Sequence, residues 1–172
     1  MATNAKNDIS KITKRISALL NASISQSQMK AMATEAIDII KIRTRLGYGA
    51  PLGKPGNRFT MPKLSDGYKK YRASSSVSQY LSQWTSAGRS NVTLSGQVLD
   101  SMKILTIKPG QVIVGPSGIR KGPFSPGVSN AAIAGYLADQ GRTFNNLTIP
   151  EVKQMIRFFR VNFGDLKRRQ RL

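Results

Sequence analysis

Thr93-Leu94-Ser95-Gly96-Gln97-Val98-Leu99-Asp100-Ser101-Met102-Lys103-Ile104 is the stretch on which the fold turns. It reads as a short helix feeding directly into a strand. Ser95 and Gly96 suit the start of a helix, and Val98, Leu99 and Met102 fall on one of its faces. From Ile104 to Ile107 the chain alternates towards Lys108-Pro109-Gly110, a turn. Gln111-Val112-Ile113-Val114-Gly115 then reads as a second strand, closed by Pro116-Ser117-Gly118. A helix, a strand, a Pro-Gly turn and a strand make an antiparallel hairpin unit.

Helical periodicity surrounds that unit. Asn7 or Asp8 can cap a first helix, in which Ile9, Ile12, Ile16, Leu19 and Leu20 recur at helical spacing opposite Lys11, Lys14 and Arg15. Asn21 to Ser27 is small and polar, a break. Ser25 or Ser27 caps a second helix, with an apolar stripe of Met29, Met32, Ala33, Ala36, Ile37, Ile40 and Leu46. The two helices pair as a hairpin, or the first packs on a neighbouring subunit. Residues 47–62 hold too many Gly and Pro residues for a helix or an interior strand and form a long loop. Leu64 to Arg72 is a short helix capped by Ser65 or Asp66. Ala73 to Ser78 is low in complexity and expected to be mobile, and Tyr80 to Trp84 is a local apolar anchor.

Residues 118–130 read as an exposed hairpin loop between strands. Ala131 to Asp139 is small and apolar, helix or strand. Thr148-Ile149-Pro150-Glu151 has the form of a capping box with proline in the first turn. The helix it opens is expected to bury Val152, Met155, Ile156 and Phe159 and to end at Gly164. Phe144, Phe158, Phe159 and Phe163 are expected in the core. The fold class is α+β: N-terminal helices, a central antiparallel β-sheet with long loops, a C-terminal helix and a basic tail. Residues 1–24 form a helical arm, 25–163 one body with extended loops at 47–62 and 118–130, and 164–172 a basic tail that is disordered when free.

The charge narrows the function. The chain's 172 residues include 27 Lys and Arg against 8 Asp and Glu, a formal net charge of +19. So large an imbalance repels itself and calls for a polyanionic partner, either nucleic acid or an acidic protein surface. There is no Cys and no His, which removes disulfides, thiolate metal sites, and the commonest general base and metal ligand. The remaining carboxylates are scattered, and Glu35 and Asp38 read as members of ordinary ion pairs on one helix face. Gly47-Tyr48-Gly49-Ala50 has no Gly-Lys-[Ser/Thr] after it, so it is no phosphate loop. The expectation is no enzyme, no cofactor and no metal. No apolar run approaches membrane-spanning length and the first residues have no apolar leader core, which predicts a protein made in a cytoplasm and no membrane partner.

Leu94-Ser95-Gly96-Gln97-Val98-Leu99-Asp100-Ser101-Met102 also resembles the Leu-x-x-[Ser/Thr]-Gly-x-Leu-x-x-Ser-Ile block of the bacteriophage virion-morphogenesis proteins, the tail-completion group. Upstream, Gly56-Asn57-Arg58-Phe59-Thr60-Met61-Pro62-Lys63-Leu64-Ser65 and the basic run after it are similar to that family's Gly-x-x-aromatic-x-Pro-Leu-Ser segment. Downstream, Ile133 to Gly141 resembles its apolar-x-x-Gln-Phe-Gly strand, and Arg142-Thr143-Phe144 with Leu147 to Glu151 resembles its Arg-x-Phe-x-x-Leu-[Ser/Thr]-x-x-[Glu/Asp] ending. The ordered set spans about residues 28 to 160.

The resemblance implies a structural virion protein, a neck or head–tail connector subunit. Such a subunit would form a homo-oligomeric ring, hexameric or dodecameric, between neighbouring portal or adaptor proteins and tail proteins. It would make at most non-specific contact with packaged DNA. The candidate contact residues, taken from loop and tail chemistry, are Arg45, Lys54, Arg58, Arg120, Lys121, Arg142, Arg168, Arg169 and Arg171. Composition by itself fits a rival: a small basic nucleic-acid-binding protein of the ribosomal type.

Overall fold

A computed structural model describes residues 24–83, 85, 92, 96–108, 110–121 and 126–163. The expected first helix, Trp84 and the tail after Phe163 lie outside the described residues. The fold is α+β, built on one long helix, α1 (Gln26–Arg45), laid against a β-hairpin.

Helix α1 starts where a capping box permits. The Ser25 hydroxyl accepts from the Gln28 amide at 3.2 Å, and the Gln28 side chain accepts from the Ser25 amide at 2.7 Å. The helix ends at Gly47, whose φ of 87° is open to glycine and whose N–H donates to the Thr44 carbonyl. Of the expected stripe, Ala33, Ala36, Ile37 and Ile40 are buried, joined by Ile39; Leu46 is half in solvent.

The hairpin pairs β3 (Met102–Lys108) with β4 (Gln111–Pro116), antiparallel, with Lys108 opposite Gln111 so that two residues turn the chain. Its alternation is not strict. The register shifts between Ile104 and Thr106, leaving Leu105 as the extra residue of a bulge. Met102, Ile104 and Ile107 therefore share the face of Pro116, Val114 and Val112, although simple alternation would put Ile107 on the opposite side from Ile104. Before the hairpin, α4 (Gln97–Asp100) is a single turn that buries Val98 and Leu99. Met102, expected on that helical face, is instead the first residue of β3, still buried beside them.

A second antiparallel pair, β1 (Tyr48–Gly49) and β2 (Phe59–Thr60), is only two residues long. It closes the base of the 47–62 loop, and the strand content is thus divided between two small sheets. Helix α2 (Asp66–Ala73) is capped by Ser65, and α3 (Ser75–Ser78) follows at once. The Ser-rich segment expected to be mobile is that turn of helix, pinned by Val77, which is 2% exposed.

After β4 no further strand occurs among the described residues. Residues 118–130 lead into a helix, α5 (Asn130–Asp139), and their base is closed by a single bridge between Ile119 and Ser129. Ser129 caps α5, and Asn130 reaches back to the Ser117 carbonyl at 2.8 Å. The segment compared above with a family strand is therefore helical: small residues from Asn130 to Asp139 have a cap at one end and no alternation to favour a strand.

The last described element, α6 (Ile149–Phe163), packs on α1. The core gathers Ile37, Ile40, Met61, Val98, Leu99, Met102, Ala134 and Phe144; a smaller cluster of Ala36, Ile39 and Met155 joins α1 to α6. Only Met155 of α6 is buried. Ile156 is largely exposed, and Val152 and Phe159 are partly covered. Of the four phenylalanines expected in the core, Phe144 alone is there. Phe158, Phe159 and Phe163 form their own cluster at the end of α6, with ring centroids 5.6–6.1 Å apart.

Candidate interaction surface

Three segments converge on one side of α1: its own last turn, the two-stranded ladder β1–β2 and the start of α6. At their junction Arg43 is buried and its guanidinium bonds the Glu151 carboxylate at 2.5 Å and the Phe144 carbonyl. Glu151 also accepts the Thr148 amide at 2.7 Å, the backward half of the capping box expected there. One carboxylate thus starts α6 and fastens it to α1. Burial pulls the Arg43 guanidinium below its ordinary range, and the neighbouring Glu151 charge opposes that fall.

The outer rim of this junction is a groove of about 710 Å³. Ile42, Leu46 and Tyr48 line it with Asn57, Arg58 and Gln154. Ile42 is 60% exposed and Leu46 54%, and the Arg58 guanidinium lies 4.6 Å from the centre of the Tyr48 ring. Apolar side chains in water beside held basic groups are the usual composition of a protein-binding face.

Of the nine basic residues expected to make contacts, the structure brings some together and disperses others. Arg58 lies in this groove, and Lys54 is exposed on the same 47–62 loop. Arg45 turns the other way and pairs with Asp100 of α4 at 3.0 Å. Lys121 meets α4 too: the Gln97 amide donates to its carbonyl at 2.6 Å and accepts its N–H at 2.9 Å, while its side chain is exposed. Arg142 is committed to Gln140 and the Lys63 carbonyl, on another edge. Arg120 corrects the expectation. Its loop position suggests exposure, yet its side chain is 9% exposed, so it is not among the basic groups on display. Burial lowers the Arg120 and Arg72 guanidinium groups from their ordinary range, with Tyr68 opposing the fall at both. Arg168, Arg169 and Arg171 lie outside the described residues.

The sequence reading missed Ile42 and Tyr48 and put Leu46, 54% exposed, in the apolar stripe. The signal was there for Ile42, an apolar residue off the stripe in a helix whose other faces carry charge. Among the described residues the ion pairs are Arg43–Glu151, Arg45–Asp100 and Lys69–Asp66. Glu35 and Asp38 are not among them, and Glu35 receives a hydrogen bond from Gln154 instead. No group of three His, Cys, Asp or Glu residues that would hold a metal ion, and no helix long and apolar enough to cross a membrane, occurs among the described residues. No family model matches the chain, and neither a curated protein nor a solved structure matches it.

Proposed function

We propose that this chain is a structural virion subunit of the tail-completion, head–tail connector kind, acting by assembly rather than by chemistry. The observation that carries the reading is the groove beside α1, where Ile42 and Leu46 stand in solvent next to Arg58 in a chain of net charge +19. A monomer gains nothing from exposing such a surface, whereas a subunit that closes a head-to-tail ring covers it. The exposed cations of the adjoining 47–62 loop, Lys54 above all, suit acidic faces of the proteins stacked above and below. Those that face the channel suit DNA phosphates, which require charge and no base readout. The order of the three sequence blocks supports the same reading, although the third falls on a helix here.

Native mass spectrometry of the purified protein, with and without duplex DNA across a salt series, tests it. A closed oligomer is expected, hexameric or dodecameric, that Ile42→Asp with Leu46→Asp reduces to monomer. A monomer that holds RNA tightly and releases it steeply with salt overturns the proposal in favour of a ribosomal-type nucleic-acid-binding protein.

A further inference from the structure

A second groove, of about 460 Å³, runs along another face of α1 between that helix, β4 and the approach to α6. Met29, Met32 and Ala36 of α1 line it on the helix side and Val112 and Ile113 on the strand side, and Leu147 lines it too. Among the described residues, no side chain lining it is charged. Ile113 is 43% exposed and Met29 and Met32 are half-buried, so the described residues leave this apolar trench open.

We propose that the trench is the seat of residues 9–20 of the same chain. The described chain begins at Ile24, and Ile24 itself lines the trench, so the preceding residues start at its mouth. Those residues carry Ile9, Ile12, Ile16, Leu19 and Leu20 at helical spacing, with Lys11, Lys14 and Arg15 on the other face. An apolar stripe fits a lining without charge, and its basic face stays in water. The lengths agree. Twelve residues of helix are about 18 Å long, and the wall from Met29 to Ile40 is about 17 Å at the same rise. Five residues, Asn21 to Ser25, then join residue 20 to the start of α1 at Gln26, a length common in helical hairpins. So short a tether gives the chain's own segment a large advantage in effective concentration over a second copy's. The hairpin geometry sets Ile16 beside Met29 and Ile12 beside Met32. This proposal concerns a different face from the groove of Ile42 and Leu46 and stands or falls separately from it.

The chain has no cysteine, so an introduced pair is unambiguous. In the full chain, Ile16→Cys with Met29→Cys and Ile12→Cys with Met32→Cys are expected to form a disulfide within one monomer on mild oxidation. Lys14→Cys with Met29→Cys, from the basic face, is expected to link far less. A disulfide between two chains assigns the trench to a second copy and overturns the proposal, as does equal linking by the Lys14 pair or no linking at all. Peroxide oxidation of Met29 and Met32, followed residue by residue by mass spectrometry, gives a readout without cysteines. Ile12→Asp with Ile16→Asp should speed it several-fold while Met155, 6% exposed in the smaller core cluster, stays slow. An unchanged rate at Met29 and Met32 shows that the trench is already open and overturns the proposal.

Discussion

Gly49 shows how little room the junction beside α1 leaves. A Cβ there would stand 2.5 Å from the Phe59 ring and 2.6 Å from the Thr143 carbonyl oxygen. That oxygen already accepts the Ala50 amide at 3.0 Å, and Thr143 returns a bond to the Ala50 carbonyl, so the backbone on both sides is fixed. Gly49→Ala is therefore expected to cost about 1–3 kcal/mol, as overpacking does, measured by urea denaturation. Unchanged stability would mean that the β1–β2 ladder yields freely. Arg43 makes a second, separable case. Arg43→Met strands the Glu151 carboxylate, 13% exposed, and is expected to cost about 3–5 kcal/mol. Arg43→Met with Glu151→Leu should recover much of that loss, since an apolar pair of similar volume removes the uncompensated charge. The recovery will be incomplete, because the double variant still forfeits the Thr148 amide cap. A double variant no more stable than Arg43→Met alone would show that the helix cap, not the ion pair, dominates this contact. Nothing in the sequence marks Arg43 for this role. It stands between Lys41 and Arg45 in a basic run, and only the return of α6 to α1 separates the buried cation from the exposed ones.

At the scale of elements, the hairpin was legible because its signals are local: Pro-Gly at the turn, β-branched residues on both sides, and a Ser-Gly start to the helix before it. So were the caps of α1, α2 and α6, each set by a side chain within three residues of the amide it bonds. Two features were not. The helix α5 carries Ala or Gly at five of its ten positions, and small residues have neither the period of a strand nor that of a helix. The bulge at Leu105 depends on the partner strand, which periodicity in one strand cannot report. Its existence makes a sharp prediction. Deleting Leu105, which is 48% exposed, leaves the pairs Ile104–Val114, Thr106–Ile113 and Ile107–Val112 intact on their present faces. That variant is expected to unfold cooperatively, with less than about 1.5 kcal/mol lost. Deleting Ile113 from the unbulged strand instead puts Val112 and Val114 on opposite faces and takes a half-buried valine off the core face, worth about 1 kcal/mol by burial on top of the ladder bonds that the lost register breaks. Thermal unfolding followed by circular dichroism separates the two, and equal damage from both deletions would mean that the bulge itself holds the hairpin's curvature against α1.

For the whole molecule the governing quantity is charge. The described ion pairs neutralise Asp66, Asp100 and Glu151, three of only eight acidic residues, against 27 basic ones. Two of those pairs are exposed at the carboxylate and contribute little, as surface pairs do. The sum of like charges across the surface thus outweighs the few favourable contacts, and the isolated chain should be stabilised by anything that screens it. Raising ionic strength from about 0.1 to 1 M shortens the screening length from about 10 to 3 Å. The melting temperature is expected to rise over that series, most steeply at its low end, where repulsion between separated cations is lost first. The buried Arg43–Glu151 pair hardly responds, because solvent ions do not reach it. A polyanion should act at lower concentration than simple salt and more strongly, since it binds the folded surface and raises stability by mass action. Its effect should then shrink as salt is added, opposite in sign to the effect of salt alone. A melting temperature that falls with salt in the absence of polyanion would mean that attraction outweighs repulsion across the folded surface, and the charge would then need no partner to explain it.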